Sequence, residues 1–154
     1  MSVVNPTKKS IGAENPDFWF FLAESALGDA EVLFENKRMQ LALVSYHGMI
    51  EKALKGICAK KGTLAAVEEK HNLVLLSRKA GVYLKVDDKT QRFLEEISPL
   101  HVRPAYPLDM AEYKSFERNW YVNIVRDISC SLFLYLKKVF NDDTVHDTQR
   151  KDRK

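Results

Sequence analysis

Apolar residues recur at helical spacing along the segment from Met39 to Gly62. Residues three and four positions apart lie on one face of a helix, so this stripe predicts a helix with one buried side. Gly62 can end the helix, because glycine adopts the left-handed conformation at little steric cost, and Lys60 and Lys61 stand where the helix dipole favours cations. The stripe comprises Met39, Leu43, Tyr46, Ile50, Ala53, Leu54, Ile57 and Cys58. We expect this segment to be the central helix of a bundle.

Four further segments show helix signals, and no segment shows the alternation typical of a strand. Asn15 followed by Pro16 is typical of an N-cap and a first helical residue, and His71 or Asn72 is positioned to cap a short third helix. These segments span about residues 15–34, 72–81, 87–98 and 112–140. The connection at 35–38 is short, which favours antiparallel neighbours. The pattern therefore predicts an all-α protein, an up-and-down antiparallel bundle of four to five helices.

The composition is that of one globular domain. A chain of 154 residues, with 45% hydrophobic and 29% charged residues, has enough apolar material for a single core. We expect a mobile N-terminal segment at 1–14, the bundle at 15–141 and a charged tail at 142–154. No apolar stretch reaches the roughly 20 residues of a spanning helix, and no secretory signal is present, so we expect a cytoplasmic protein without a membrane partner. A net charge of +3 neither requires nor excludes nucleic acid.

The segment from Pro99 to Asp109 contains three prolines and interrupts the helical pattern. Proline restricts its own φ and biases the preceding residue towards extended backbone, so we expect a shaped loop here. The loop also concentrates His101, Arg103 and Tyr106. Because loops on a rigid scaffold often carry function, these side chains are candidates for a binding site.

Three polar residues stand one helical turn apart on the central helix: His47, Glu51 and Lys55. They are i, i+4 neighbours, and two interpretations remain open. They form either a carboxylate-capped histidine and an ordinary ion pair on a partly buried face, or part of a pocket, since facing positions in bundles do hold ligands. His47, His71 and His101 include no pair at ligand spacing within one helix, so we predict neither a metal site nor a cofactor.

Four groups of residues occur together in a pattern known from one family of helical bundles. They are Trp19 with Ala26 and Ala30, the run from Tyr46 to Lys55, the helix start His71-Asn72-Leu73, and the loop residues Arg103, Tyr106, Pro107 and Asp109. These residues resemble the HEPN domain, which is also similar to the C-terminal domain of kanamycin nucleotidyltransferase. The Glu-Lys-Ala-Leu-Lys run at 51–55 is the most specific match. The loop departs from the uninterrupted Arg-Tyr-Pro-Asp of similar family members.

The resemblance implies the bundle fold and a homodimer, with a separately encoded minimal nucleotidyltransferase as a partner of the toxin–antitoxin type. In this interpretation the chain is a binding module for a nucleotide or another phosphate-bearing ligand. Arg103 offers a planar fork suited to phosphate, unless it pairs with Asp109 to hold the loop. The expected ligand-binding residues are Arg103, Tyr106, Asp109, Lys52, Lys55 and Glu51.

Two alternatives belong to other classes. A metal-independent endoribonuclease toxin would use His47 or His101 as general base and Arg103 to stabilise charge on the phosphate of RNA. Family ribonucleases carry an arginine followed a few residues later by a histidine, and no arginine here has that partner, so the sequence favours a protein that is not an enzyme. The third candidate is an interaction module that dimerises through a broad flank of the last helix: Tyr121, Val125, Phe133 and Leu136.

Overall fold

The computed structural model describes residues 15–142, and within this range the chain forms helices and no strand. The six α-helices are α1 (Pro16–Glu35), α2 (Met39–Lys61), α3 (Leu73–Lys79), α4 (Asp88–Ile97), α5 (Met110–Ser115) and α6 (Asn119–Asn141). Short 3-10 turns lie at Leu64–Ala66, Tyr83–Lys85, Ser98–His101 and Arg103–Ala105. The predicted all-α bundle is therefore confirmed. The segment predicted to be mobile, 1–14, and the predicted charged tail, apart from Asp142, lie outside the described residues.

Helices α1 and α2 form the predicted hairpin. The Asn15 side chain accepts a hydrogen bond from the Asp17 backbone N–H at 3.0 Å, and Gly62 ends α2 with a φ of +75°. Small residues on α1 let the two helices approach closely, because Ala23 and Ala30 are fully buried. The long α1 therefore covers one side of α2 along much of its length.

Helix α2 is the centre of the bundle, since α1, α3 and α6 all pack against it. Helix α6 contributes its own apolar stripe to this core, and the stripe includes three residues of the flank that was expected to dimerise. Val125, Phe133 and Leu136 are at most 3% exposed. The predicted dimerisation flank is wrong, because these side chains already pack inside the bundle.

The last predicted helix is broken into two. The sequence pattern suggested one helix over 112–140, whereas α5 ends at Ser115 and α6 begins at Asn119. Arg118 adopts extended backbone with a ψ of 110°, and Phe116 is buried at the break. No glycine or proline stands between 110 and 118. We therefore attribute the break to the burial of Phe116 rather than to a helix-breaking residue.

A partly exposed polar contact joins α1, α2 and α6. The Arg126 guanidinium donates to the Glu31 carboxylate, with Nη2 at 2.6 Å from Oε2, and the buried Tyr46 hydroxyl donates to Oε1 at 2.6 Å. The Arg126 hydrogen bond holds the pKa of Glu31 below its ordinary value although burial opposes it. Burial and the bond to the carboxylate raise the pKa of Tyr46. We interpret this network as a structural link between three helices.

The helices of this bundle show no membrane span. Within residues 15–142, none combines the length and the apolar character that a crossing requires.

Candidate functional site

The carboxylate of Glu51, at the middle of α2, is the centre of a cluster of polar side chains. Its Oε1 accepts a hydrogen bond from His71 Nδ1 at 2.8 Å, and its Oε2 accepts one from Lys55 Nζ at 3.2 Å. His47 Nδ1 lies 3.9 Å from Oε1. Together with His101, which stacks on His71, these residues are called the histidine cluster below. The cluster unites both parts of the sequence that carried candidate residues, the central helix and the loop.

His71 and His101 reach the cluster from different elements. His71 directly precedes Asn72, the N-cap of α3, and α3 is anchored on α2 by the fully buried Leu73 and Leu76. His101 ends the 3-10 turn that follows α4. The two imidazole rings stack in parallel, with centroids 4.8 Å apart and an angle of 4° between their planes. They form a flat aromatic pair at the edge of Glu51.

Ser98 ties these elements together. Its carbonyl accepts a hydrogen bond from His47 Nε2 at 3.1 Å, and its hydroxyl accepts one from the Leu73 N–H at 3.0 Å and donates one to the Leu94 carbonyl at 2.7 Å. Because a carbonyl only accepts, the His47 proton is assigned to Nε2. His47 and Ser98 therefore fix the position of the turn that carries His101 relative to α2 and α3.

Burial separates the roles of the charged groups. His47 is 1% exposed, and burial lowers its pKa to about 4, although the nearby carboxylate opposes this shift. For Glu51, burial raises the pKa, but the hydrogen bond from His71 and the charge of Lys55 outweigh burial and lower it. At neutral pH His47 is thus a neutral donor and Glu51 is ionised. His47 was one of the two histidines expected to act as general base, and the structure places it out of reach of solvent, at 1% exposure.

Lys55 is held inside the cluster rather than presented to solvent. It is 3% exposed, and its ammonium also lies 5.6 Å from the centroid of the Trp19 ring. His71 differs, because half of its side chain is exposed and its Nε2 has no hydrogen-bond partner among the described residues. His71 is therefore the accessible polar group of the cluster.

The loop residues predicted to bind phosphate have internal partners. Arg103 donates from Nε to Glu112 Oε1 at 2.7 Å and from Nη2 to Oε2 at 3.3 Å. Asp109 instead caps α5 by accepting from the Glu112 N–H at 2.8 Å. The alternative pairing of Arg103 with Asp109 is therefore wrong, since Glu112 is the partner. Tyr106 is 76% exposed, and Lys52 lies beside Gly48 on α2.

His71 is the cluster residue whose role was missed in the sequence. It was considered as a helix cap, but Asn72 takes that role by accepting from the N–H groups of Val74 and Leu75. A histidine just before an asparagine N-cap is a weak signal, because its contact with Glu51 spans 20 residues. Among residues 15–142 no group of three or more His, Cys, Asp or Glu side chains is arranged to hold a metal ion.

The geometry of Glu51 and His71 permits two kinds of chemistry. A neutral His71 that donates Nδ1–H to Glu51 keeps an unprotonated Nε2, which is the tautomer of an oriented general base. A protonated His71 is a cation that can donate to an anion, and His101 lies close enough to act with it. The negative charge of Glu51 is offset by the Lys55 ammonium, which lies 3.2 Å from Oε2.

The comparisons with known proteins agree with this fold. Residues 17–129 match the family model of the HEPN domain. The match covers most of the described chain and the whole histidine cluster. The comparison with curated proteins found no match, and the comparison with solved structures found none either.

Proposed function

This chain belongs to the HEPN domain family, and we propose that it is a binding module for a phosphate-bearing ligand such as a nucleotide, bound at the histidine cluster. The stacked rings of His71 and His101 support this proposal most directly. They combine an accessible imidazole with a flat aromatic surface, and Glu51 orients His71. Phosphate accepts hydrogen bonds from cationic imidazole, and a base can stack on an aromatic ring.

The balance of charge in the cluster favours an anion. Lys55 offsets the charge of Glu51 at 3.2 Å, and His47 is neutral at pH 7 because its pKa is lowered to about 4. The charges of Glu51 and Lys55 therefore balance, and the imidazole rings of His71 and His101 are left to contact an anionic ligand.

Arg103 is a weaker candidate for the primary phosphate contact. Its Nε and Nη2 already bond Glu112, so a ligand would have to displace that carboxylate. Tyr106 follows the same turn and is largely exposed, so its ring is accessible to a base. In this proposal the histidines hold the phosphate and the loop adds a stacking contact.

Calorimetric titration of ATP tests the site. We expect saturable binding to the unaltered protein, and binding at least about tenfold weaker in His71→Gln, because a charge-assisted hydrogen bond contributes about 1.5–3 kcal/mol. Glutamine keeps a donor for Glu51 but cannot become a cation. His101→Gln should also weaken binding, whereas Arg103→Ala is the control for a site at the loop.

The outcomes separate the two locations. Loss of affinity in Arg103→Ala with unchanged affinity in both histidine variants would move the site to the loop. If ATP gave no binding heat with any of these proteins, at about pH 6 as well as at about pH 7.5, nucleotide binding would be excluded as the function. Circular dichroism of each variant checks that the bundle is intact.

A metal-independent endoribonuclease remains a second candidate, and the Glu51–His71 hydrogen bond is the observation that favours it. His71 Nε2 would take the proton from the ribose 2′-OH while that oxygen bonds phosphorus. The bond from phosphorus to the 5′ oxygen would break, and the leaving oxygen would take a proton from His101. These roles replace those of His47, which is too buried to reach RNA.

RNA cleavage in the presence of a chelator tests this candidate. We expect loss of cleavage in both His71→Gln and His101→Gln, because each variant removes one of the two proton-transfer groups. Cleavage that persists in His71→Gln would exclude the proposed base. Nucleotide binding without cleavage would leave the binding module as the function.

A homodimer and a minimal nucleotidyltransferase partner also remain proposals. The exposed apolar side chains that follow His101 in the chain offer a surface for either one, and they lie within twelve residues: Val102, Tyr106, Leu108, Met110 and Tyr113. Light scattering over micromolar concentrations distinguishes a dimer from a monomer. If Leu108→Ser left a measured dimer intact, this surface would not be its interface.

A further inference from the structure

Four basic residues stand at or beside the C-terminal ends of α2, α3 and the turn at Tyr83–Lys85. They are Lys61, Arg78, Lys79 and Lys85, called the basic end below. Burial lowers the pKa of Lys61, and the charge of Lys85 lowers it further. Lys61 also packs against Gly81, the residue with a φ of +75° that follows α3. The basic end uses no residue of the histidine cluster.

The helix dipole accounts for part of this arrangement. Lys61 and Lys79 are the last residues of α2 and α3, where cations stabilise the carbonyl end of a helix. The dipole does not account for Lys85, which belongs to the next turn and is exposed. The concentration of cations therefore exceeds what the two helix ends require.

Arg78 differs from the arginines of the ion pairs elsewhere in the bundle. Arg103 bonds Glu112 and Arg126 bonds Glu31. The Arg78 guanidinium instead lies 4.7 Å from the centroid of the Tyr83 ring. None of the ion pairs among the described residues includes Arg78. Stacking on tyrosine orients the planar fork while leaving its N–H groups for an acidic ligand.

A cavity of about 220 Å³ opens at this site, lined by Arg78, Gly81, Tyr83 and Leu84. Leu84 is 88% exposed, whereas Tyr83 is only 8% exposed and its hydroxyl donates to Glu95 at 3.1 Å. The cavity thus combines an unpaired guanidinium with a protruding aliphatic side chain. Its size suits a single side chain of a partner.

We infer that the basic end docks an acidic segment of a partner protein, with acidic side chains on Arg78 and Lys85 and an apolar side chain beside Leu84. Charge complementarity supports an acidic partner. Leu84 favours a protein over a nucleic acid, because an exposed aliphatic side chain adds nothing to phosphate binding. The Tyr83 ring, mostly buried and covered by Arg78, offers no face on which a base can stack.

Fluorescence anisotropy with labelled synthetic peptides tests the inference on the full chain. The probe is a peptide of Glu-Glu-Leu repeats, compared with Gln-Gln-Leu and Glu-Glu-Ala peptides of equal length and with a uridine oligonucleotide. We expect the Glu-Glu-Leu peptide to bind best. Arg78→Gln combined with Lys85→Gln should weaken it about two- to thirtyfold, since each of the two exposed ion pairs contributes about 0.2–1 kcal/mol. Leu84→Ser should weaken Glu-Glu-Leu but not Glu-Glu-Ala.

Matched controls stand at the opposite end of α2. Lys37→Gln combined with Arg38→Gln removes the same two positive charges from exposed positions. Leu41→Ser removes the same kind of apolar side chain. These controls lie beside the start of a 23-residue helix that is roughly 34 Å long, and they should bind the peptide as the unaltered protein does. Three results would each overturn the inference: equal affinity for Gln-Gln-Leu, equal weakening by Lys37→Gln with Arg38→Gln, or tighter binding of the oligonucleotide that Arg78→Gln abolishes.

Discussion

Acidification should destabilise this protein through His47 well before its carboxylates are protonated. The side chain is 1% exposed, and burial lowers its pKa from the ordinary value of 6.5 to about 4. In the unfolded chain the imidazole regains its ordinary proton affinity. Between these two values the unfolded state binds more protons than the folded state, so the free energy of unfolding falls as the pH falls.

The size of the effect follows from the two pKa values. Each unit of difference corresponds to about 1.4 kcal/mol, so the full loss is about 3 kcal/mol once the pH is below 4. From about pH 7.5 to 5.0 the expected loss is about 2 kcal/mol. This window avoids the protonation of Glu51, whose pKa is below its ordinary value of 4.5 and whose contribution is lost only at lower pH.

Urea unfolding followed by circular dichroism measures the free energy at each pH. The comparison is with His47→Gln, because glutamine can still donate to the Ser98 carbonyl but does not titrate. Every other titratable residue is the same in both proteins, so the difference between the two curves isolates His47. We expect the variant to lose about 2 kcal/mol less than the unaltered protein over this range.

One result would refute this reasoning. The result is a parallel loss of stability in the unaltered protein and in His47→Gln, within about 0.5 kcal/mol at every pH. It would mean that burial does not keep His47 neutral in the folded protein. His47→Asn provides a second comparison if the glutamine variant does not fold. A parallel loss in both variants would show that the pH dependence comes from elsewhere.

Two further substitutions test the packing around α2, with urea unfolding as the measurement. Glu51→Gln should lower the free energy of unfolding by about 3–5 kcal/mol, because it leaves the buried Lys55 ammonium, 3% exposed, without an anionic partner. Adding Lys55→Met to this variant should recover most of the lost stability, because no buried charge then remains unpaired. A small loss in Glu51→Gln alone would contradict this. Gly56→Ala should destabilise the protein by about 1–3 kcal/mol, because an added Cβ would lie 2.7 Å from the Phe20 ring. Gly28 has open space around it, so Gly28→Ala should stabilise the helix. Equal effects at both glycines would contradict the close approach of Gly56 to Phe20.

Helix boundaries in this protein were predictable where the signal lies within a few residues. Asn15, Asn72 and Gly62 each satisfy backbone groups no more than four positions away, so their chemistry is visible in the sequence. The apolar stripe of α2 was equally clear, because burial on one face imposes helical spacing. The family followed from residues on these same helices, and the match over 17–129 confirms it.

Contacts between distant segments were not predictable in the same way. Arg103 was expected to meet phosphate or Asp109, but it meets Glu112, a residue nine positions later. Val125 and Leu136 were expected at a dimer surface because the last helix is apolar over much of its girth, yet α6 buries both against the bundle. Periodicity measures how much of a helix is apolar, and it does not identify which neighbour covers that surface.

The histidine cluster shows the same division most clearly. The i, i+4 spacing of His47, Glu51 and Lys55 guaranteed that these side chains would be neighbours on one helix. The hydrogen bond from His71 and the stacking of His101 depend on how α3 and the turn after α4 pack against α2. Spacing within a helix is set by its regular backbone, whereas the meeting of residues 20 and more positions apart is decided by the burial of apolar surface between helices.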